Sequence, residues 1–305
     1  MALTAFADGL TGEQRDKYLA QYGALLPKWL EKTRASGMWT EQASALAEAA
    51  RGGAKKDSLF QVPDLLSSLA VEKLAAGVVD VLAGQLGGWN KIATAARYQH
   101  VWLRAGLAAM KLARQANQDG PWPLGEYHRF VQGSFAATIT GDRSAWEPMM
   151  QLALMLDRNG SARASSRDPA FPAFARTLAA AWIEGRAPEL AQTGNDPFAH
   201  LFVTWADPVE NSRAFERALD YHLWRGDDRS SARNPDERYS QPGILLYPAH
   251  LVAYLALRKQ TGMVSLAIDH PMANLPTLTP PEHVKPADDA VLDTIEKTLR
   301  SLPSN

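Results

Sequence analysis

A chain of 305 residues that is 46% hydrophobic can bury a full core, and 32 Lys plus Arg against 33 Asp plus Glu leave a net charge of −1, too little for an overall field that gathers nucleic acid. The absence of cysteine excludes disulfides, thiolate metal sites and thiol nucleophiles together, and fits a reducing compartment. Met1 to Gly23 lacks the basic start and unbroken apolar run of a signal peptide, and no apolar run reaches the ~18 residues of a membrane span, so a cytoplasmic protein without a membrane partner is expected.

Thr11-Gly-Glu-Gln14 has capping-box spacing and opens a helix to about Arg34, with Pro27 as a bend. An alanine-rich helix from near Thr40 closes at Gly52-Gly53, and Pro63-Asp64 is the expected start of a third helix reaching Leu82. Gly84 and Gly87-Gly88 then mark a subdomain boundary, dividing residues 1–88 from a main domain of 89–305. From Trp89 to Asn117, the spacing of Tyr98, Val101, Trp102, Ala105, Ala108, Ala109 and Leu112 predicts an amphipathic helix.

Gly120-Pro121 stops it, and Leu124 to Thr140 reads as the returning helix. Gly141-Asp142 turns the chain into Ser144-Ala-Trp-Glu147, a second capping-box spacing, with Trp146, Met149, Met150, Ala153 and Leu156 on the next core face. The polar run from Asp157 to Asp168 is a loop by composition. Asp-Pro pairs at 168–169, 196–197 and 207–208 open three helices, running to about Gly185, Ala206 and Trp224, because Asp caps free amides and Pro presets the backbone.

Residues 225–242 form a charged linker, expected to be exposed. The following helix, from Pro248 to Gly262, is apolar on nearly every side, through Ala249, Leu251, Val252, Ala253, Leu255 and Ala256, and belongs at the centre of the molecule. Ile268 to Pro286 is proline-studded, expected to lie extended over the surface, and a final helix from Asp288 to Leu302 turns Val291, Leu292, Ile295 and Leu299 inward. Apart from Met263 to Ile268, no segment carries a strand pattern, so the fold class is all-α: antiparallel helix pairs forming a bundle or an irregular solenoid, with no repeat of ~34 residues in register.

Chemistry is weakly marked. The seven histidines show no HExxH or HxH spacing, and no metal site is expected. His222 follows Phe215, Ala218 and Leu219 on one stripe and reads as a core group; His250 lies within the apolar helix, and His128 and His200 stay ambiguous. There is no nucleophile elbow, Walker loop or GxGxxG, so neither a catalytic residue nor a cofactor is expected. Asp227-Asp228 and Asp288-Asp289 read as solvated pairs.

Most of the nine tryptophans fall on apolar faces, while Trp29, Trp39 and Trp122, near helix ends or turns, are candidate anchors for a protein partner. The linker sets Arg225, Arg229, Arg233 and Arg238 against Asp227, Asp228, Asp236 and Glu237. A nucleic-acid arm is net basic; this mixed-sign loop instead suits a protein partner, and its eight residues with Trp122 are the expected interface.

The C-terminal third, roughly residues 205–280, resembles the immunity protein 49 family: a helix ending near Tyr221-His222-Leu-Trp224, a polar loop, Gly243-Ile-Leu-Leu-Tyr-Pro248 leading into the apolar helix, Gly262, and a tail with Asp269-His-Pro271 and Asn274-Leu-Pro276. Members of that family are all-helical cytoplasmic antidotes encoded beside polymorphic bacterial toxins. The resemblance implies a protein that binds a cognate toxin stoichiometrically and blocks it without turnover. The alternatives are a helical scaffold that holds a peptide or protein, and an enzyme built on His128, His222 or His250.

Overall fold

The computed structural model describes residues 9–51, 56–115, 127–158, 170–188, 197–226 and 242–301. Among them there are helices and no strands. The α-helices are α1 (Gly12–Ala35), α2 (Met38–Arg51), α3 (Lys56–Leu82), α4 (Gly87–Gln115), α5 (Tyr127–Ala137), α6 (Arg143–Arg158), α7 (Ala170–Glu184), α8 (Ala199–Val203), α9 (Pro208–Arg225), α10 (Pro242–Leu246), α11 (Ala249–Gln260) and α12 (Ala290–Ser301). Short 3₁₀ turns occupy Thr138–Thr140, Pro271–Asn274 and Pro276–Leu278.

The long hairpin of α3 and α4 is the spine of an all-α bundle. Its two helices approach closely where Gly77 faces Gly88: a Cβ on Gly77 would stand 2.7 Å from the Gly88 carbonyl oxygen, and one on Gly88 would stand 2.6 Å from that of Gly77. Gly88, which reads as a separator in the sequence, therefore makes a backbone-to-backbone helix contact with Gly77. The expected subdomain boundary falls in this hairpin's turn; α1 reaches beyond it to α9 and α10, and α2 packs on α12. Buried apolar residues from both sides of the turn belong to one cluster.

Local signals held where backbone amides needed a partner. Thr11 caps α1 as expected, its hydroxyl accepting from Gln14 N–H at 3.3 Å while the Gln14 side chain accepts from Thr11 N–H at 2.8 Å. Asp207 accepts from Val209 and Glu210 amides at 2.9 and 3.1 Å and opens α9. Asp168 and Asp196 lie outside the described residues, and α8 is a short helix whose N-cap, Phe198, has no capping side chain.

The second capping box does not form: Asp142, not Ser144, caps α6, accepting from Ser144 N–H at 2.9 Å, and Glu147 pairs with Arg143 at 2.6 Å. Pro63 does not start α3 but lies within it. An interior proline costs about 3 kcal/mol, and burial of Val62, Leu66 and Leu69 on one face offsets that cost.

The central helix is α11, with α10 as a separate short turn before the Tyr247-Pro248 break. His250, Leu251, Val252, Ala253, Tyr254 and Leu257 are all buried. Its larger apolar side chains contribute on the order of 8 kcal/mol of gross burial, before the opposing chain entropy. Its polar ends are tied down as well. The Tyr254 hydroxyl lies 2.7 Å from Leu201 O and 2.9 Å from Asn211 Oδ1, joining α11 to α8 and α9. Arg258, in the last turn of the helix, is buried and donates to the carbonyls of Trp205 and Val264.

The tail is more deeply seated than its prolines suggest. His270, Met272, Thr277 and Leu278 are buried, and the Thr277 hydroxyl donates to Leu246 O at 2.6 Å. Val284 N–H donates to Ile139 O at 3.0 Å, so the tail crosses the turn at Gly141. Only glycine fits there: φ is +68°, and a Cβ would lie 2.3 Å from the His283 ring.

Candidate functional site

Of the nine expected interface residues, only Arg225 is among the described ones; Trp122, Asp227, Asp228, Arg229, Arg233, Asp236, Glu237 and Arg238 lie outside them. Arg225 is not an exposed linker residue. It is the last residue of α9, 5% exposed, with its guanidinium 5.9 Å from the Trp224 ring centroid. The α9 helix continues through it because α1 covers that end, with the Tyr22 hydroxyl donating to Leu223 O at 2.7 Å. Trp39, another expected anchor, is also buried, and it meets Trp29 edge-on at 5.4 Å.

The histidines separate by environment. His222 is buried, with Nε2 3.1 and 3.2 Å from the carbonyls of Ile244 and Leu245, so it joins α9 to α10. His250 is buried against the rings of Phe171, Phe174 and Phe198, with centroids 5.4 to 5.8 Å away. His200 is exposed, and the His128 side chain lies outside the description. His222 and His250 are therefore packing positions.

Asp220 on α9 was not singled out by sequence reasoning, yet it collects four donors. Arg15 Nε and Nη2 approach at 2.7 and 2.8 Å, Leu10 N–H at 3.1 Å, and His270 Nε2 at 3.0 Å. His270 Nδ1 accepts from Met272 N–H at 3.1 Å, which leaves Nε2 as the donor to the carboxylate. Burial alone would push the Asp220 carboxyl up, but the hydrogen bonds from His270, Arg15 and Leu10 outweigh it and hold it below the usual range. A His–Asp pair can orient a general base. Here the side chains are 0% and 2% exposed, so substrate has no access and the pair fastens the tail and α1 to α9.

The open feature is a cleft of about 400 Å³ between α4, the start of α6, the tail at Pro286 and α12. Its floor is made of small side chains, Ala93, Ala96 and Ala137, which leaves the space. Along α4, Arg97, His100 and Arg104 project on one stripe, as positions three and four apart must. Arg97 is held by Asp293 and by Glu296, the latter at 3.0 and 3.2 Å. Arg300 leans on Glu296 at 3.5 Å. Arg104 has no ion pair or hydrogen bond among the described residues. Burial, with the Arg104 charge beside it, holds the His100 imidazole below its ordinary range.

The cleft walls are fixed by neighbours. Tyr98 donates to Asp289 at 2.6 Å, and Asp289 also caps α12 by accepting from Leu292 N–H at 3.1 Å. This corrects the view of Asp288-Asp289 as a merely solvated pair. The Asn90 side chain donates to Lys285 O at 2.8 Å and Ala287 N–H to Thr94 Oγ1 at 2.8 Å, which seat the tail beside α4. Sequence reasoning followed the apolar stripe of α4 and passed over the polar one. The signal was present as Arg97, His100 and Arg104, but the acidic partners of Arg97 come from 196 and 199 residues later in the chain.

No protein family, curated protein or solved structure matches the chain. Among the described residues no three His, Asp or Glu side chains converge as a metal site, and no helix is long and apolar enough to cross a membrane.

Proposed function

We propose that this chain is an immunity protein that binds a cognate toxin one to one and blocks it. The observation that carries the reading is the packing of the 205–280 segment, where the family resemblance lies. Its elements are bonded to each other: His222 to α10, His270 to Asp220 of α9, Thr277 to Leu246 of α10, and Arg258 of α11 to Trp205 and Val264. The described residues of the segment that carries the resemblance are interlocked in this way, which supports the reading. In that segment the histidines serve as ties between elements, a use that leaves function to the outer surface. In this reading the partner is a protein in the same cytoplasm, neither nucleic acid nor cofactor is required, and nothing is turned over.

The test is co-expression with the product of the adjacent open reading frame, scoring host growth and then purifying the pair. The expected outcome is that the neighbour arrests growth alone and that this chain restores growth and co-purifies at one to one. A neighbour that is harmless alone, or a rescue without a complex, would overturn the reading.

A further inference from the structure

The geometry points to a second, small-molecule site: we propose that the cleft between α4, α6 and α12 binds a carboxylate- or phosphate-bearing small molecule, gripped at its anionic end by Arg104 and His100. The inference is independent of the toxin reading. Among the described residues, the half-buried Arg104 guanidinium has no carboxylate partner and the His100 ring, four residues before it, has no hydrogen-bond partner, and both open into the same cleft. A planar guanidinium fork matches carboxylate and phosphate oxygens, and charge-assisted hydrogen bonds are the stronger kind. The other cations of the cleft are already engaged: Arg97 with Asp293 and Glu296, and Arg300 with Glu296.

At the α6 N-terminus, Asp142 already accepts from the Ser144 amide and hydroxyl at 2.9 and 2.8 Å. The alanine floor takes the body of the ligand, and a cavity of about 400 Å³ is the size of a metabolite site. Among the described residues, the charged groups that line the cleft with His100 are Arg97 and Arg104 on its own helix, Asp142 before α6, and Glu296 and Arg300 on α12. An anion bridging Arg104 and His100 counters the burial and the Arg104 charge that disfavour the imidazolium, so binding is coupled to proton uptake at His100.

The experiment is NMR of the full chain with ¹⁵N-labelled histidine, titrated with inorganic phosphate and separately with glutarate, at ionic strength held constant with sodium chloride. The expected result is a saturable shift confined to His100, together with an upward move of its titration midpoint. Binding falls at least tenfold in Arg104→Gln and is partly retained in Arg104→Lys, with the same thermal melting midpoint as the parent confirming that each variant is folded. Saturation by phosphate alone assigns a phosphoryl ligand, by glutarate alone a carboxylate ligand, and by both the shared oxyanion chemistry. No saturable shift with either probe, or an unchanged shift in a folded Arg104 variant, overturns the proposal.

Discussion

Asp220 shows how much one buried charge can organise when its donors come from both ends of the chain, Leu10 and Arg15 on one side and His270 on the other. Its folded-state carboxyl is held low, so the unfolded chain binds the extra proton first as pH falls. The stability it supplies is fully present above the ordinary carboxylate value near pH ~4 and is lost as pH falls from there toward the lower folded value. Asp220→Asn keeps the shape but removes the charge from between Arg15 and His270. We expect a loss of about 3 kcal/mol at neutral pH, since breaking a buried pair leaves its partners without compensation. Urea melts at several pH values should show that loss shrinking in acid. An equal loss at every pH would mean that packing, not charge, is what Asp220 supplies.

At the scale of elements, the same residue type plays opposite roles in α3 and α4. Gly106 in α4 has open space around its Cα, whereas Gly77 in α3 stands against the backbone of Gly88 and Ile92. Gly106→Ala is expected to stabilise by up to about 1 kcal/mol, through helix propensity and a less flexible unfolded chain. Gly77→Ala gains the same propensity but must push the two helices apart, and a net loss of about 1–3 kcal/mol is expected from overpacking. Thermal melts of the two variants side by side decide this, and stabilisation by both would show that the hairpin relaxes freely. Helices of this fold were legible in the sequence because periodicity, Thr11 and Asp207 act over a few residues. The Gly77–Gly88 contact was not, because a glycine reads alike as a turn and as a close crossing.

For the whole molecule, the tail and α12 join the two ends of the chain. Residues from 268 onward bury His270, Met272, Thr277, Leu278, Leu292, Ile295 and Leu299, and α12 packs on both α2 and α4. A chain ended after Gly262 uncovers the faces those side chains cover, and it is expected to lose its cooperative urea transition and to bind a hydrophobic dye while keeping helical far-UV circular dichroism. A truncated chain with an unchanged transition would show the tail to be only laid over the surface. The cleft exists only at this scale, because its stripe lies on α4 and its carboxylates on and beside α12.

The amino-acid sequence by itself determined the all-α class, most helix starts, the inward faces of α4 and α12, and the central position of α11, because each depends on the spacing of apolar and capping residues along a short stretch. Tertiary structure alone decided that Arg225 and Arg258 are buried, that a proline-studded tail carries core residues, that Asp220 and His270 meet, and that Arg104 faces an open cleft. The physical reason is common to all four. A charge is exposed or buried, paired or unpaired, according to what distant segments bring to it, and local spacing carries no record of that.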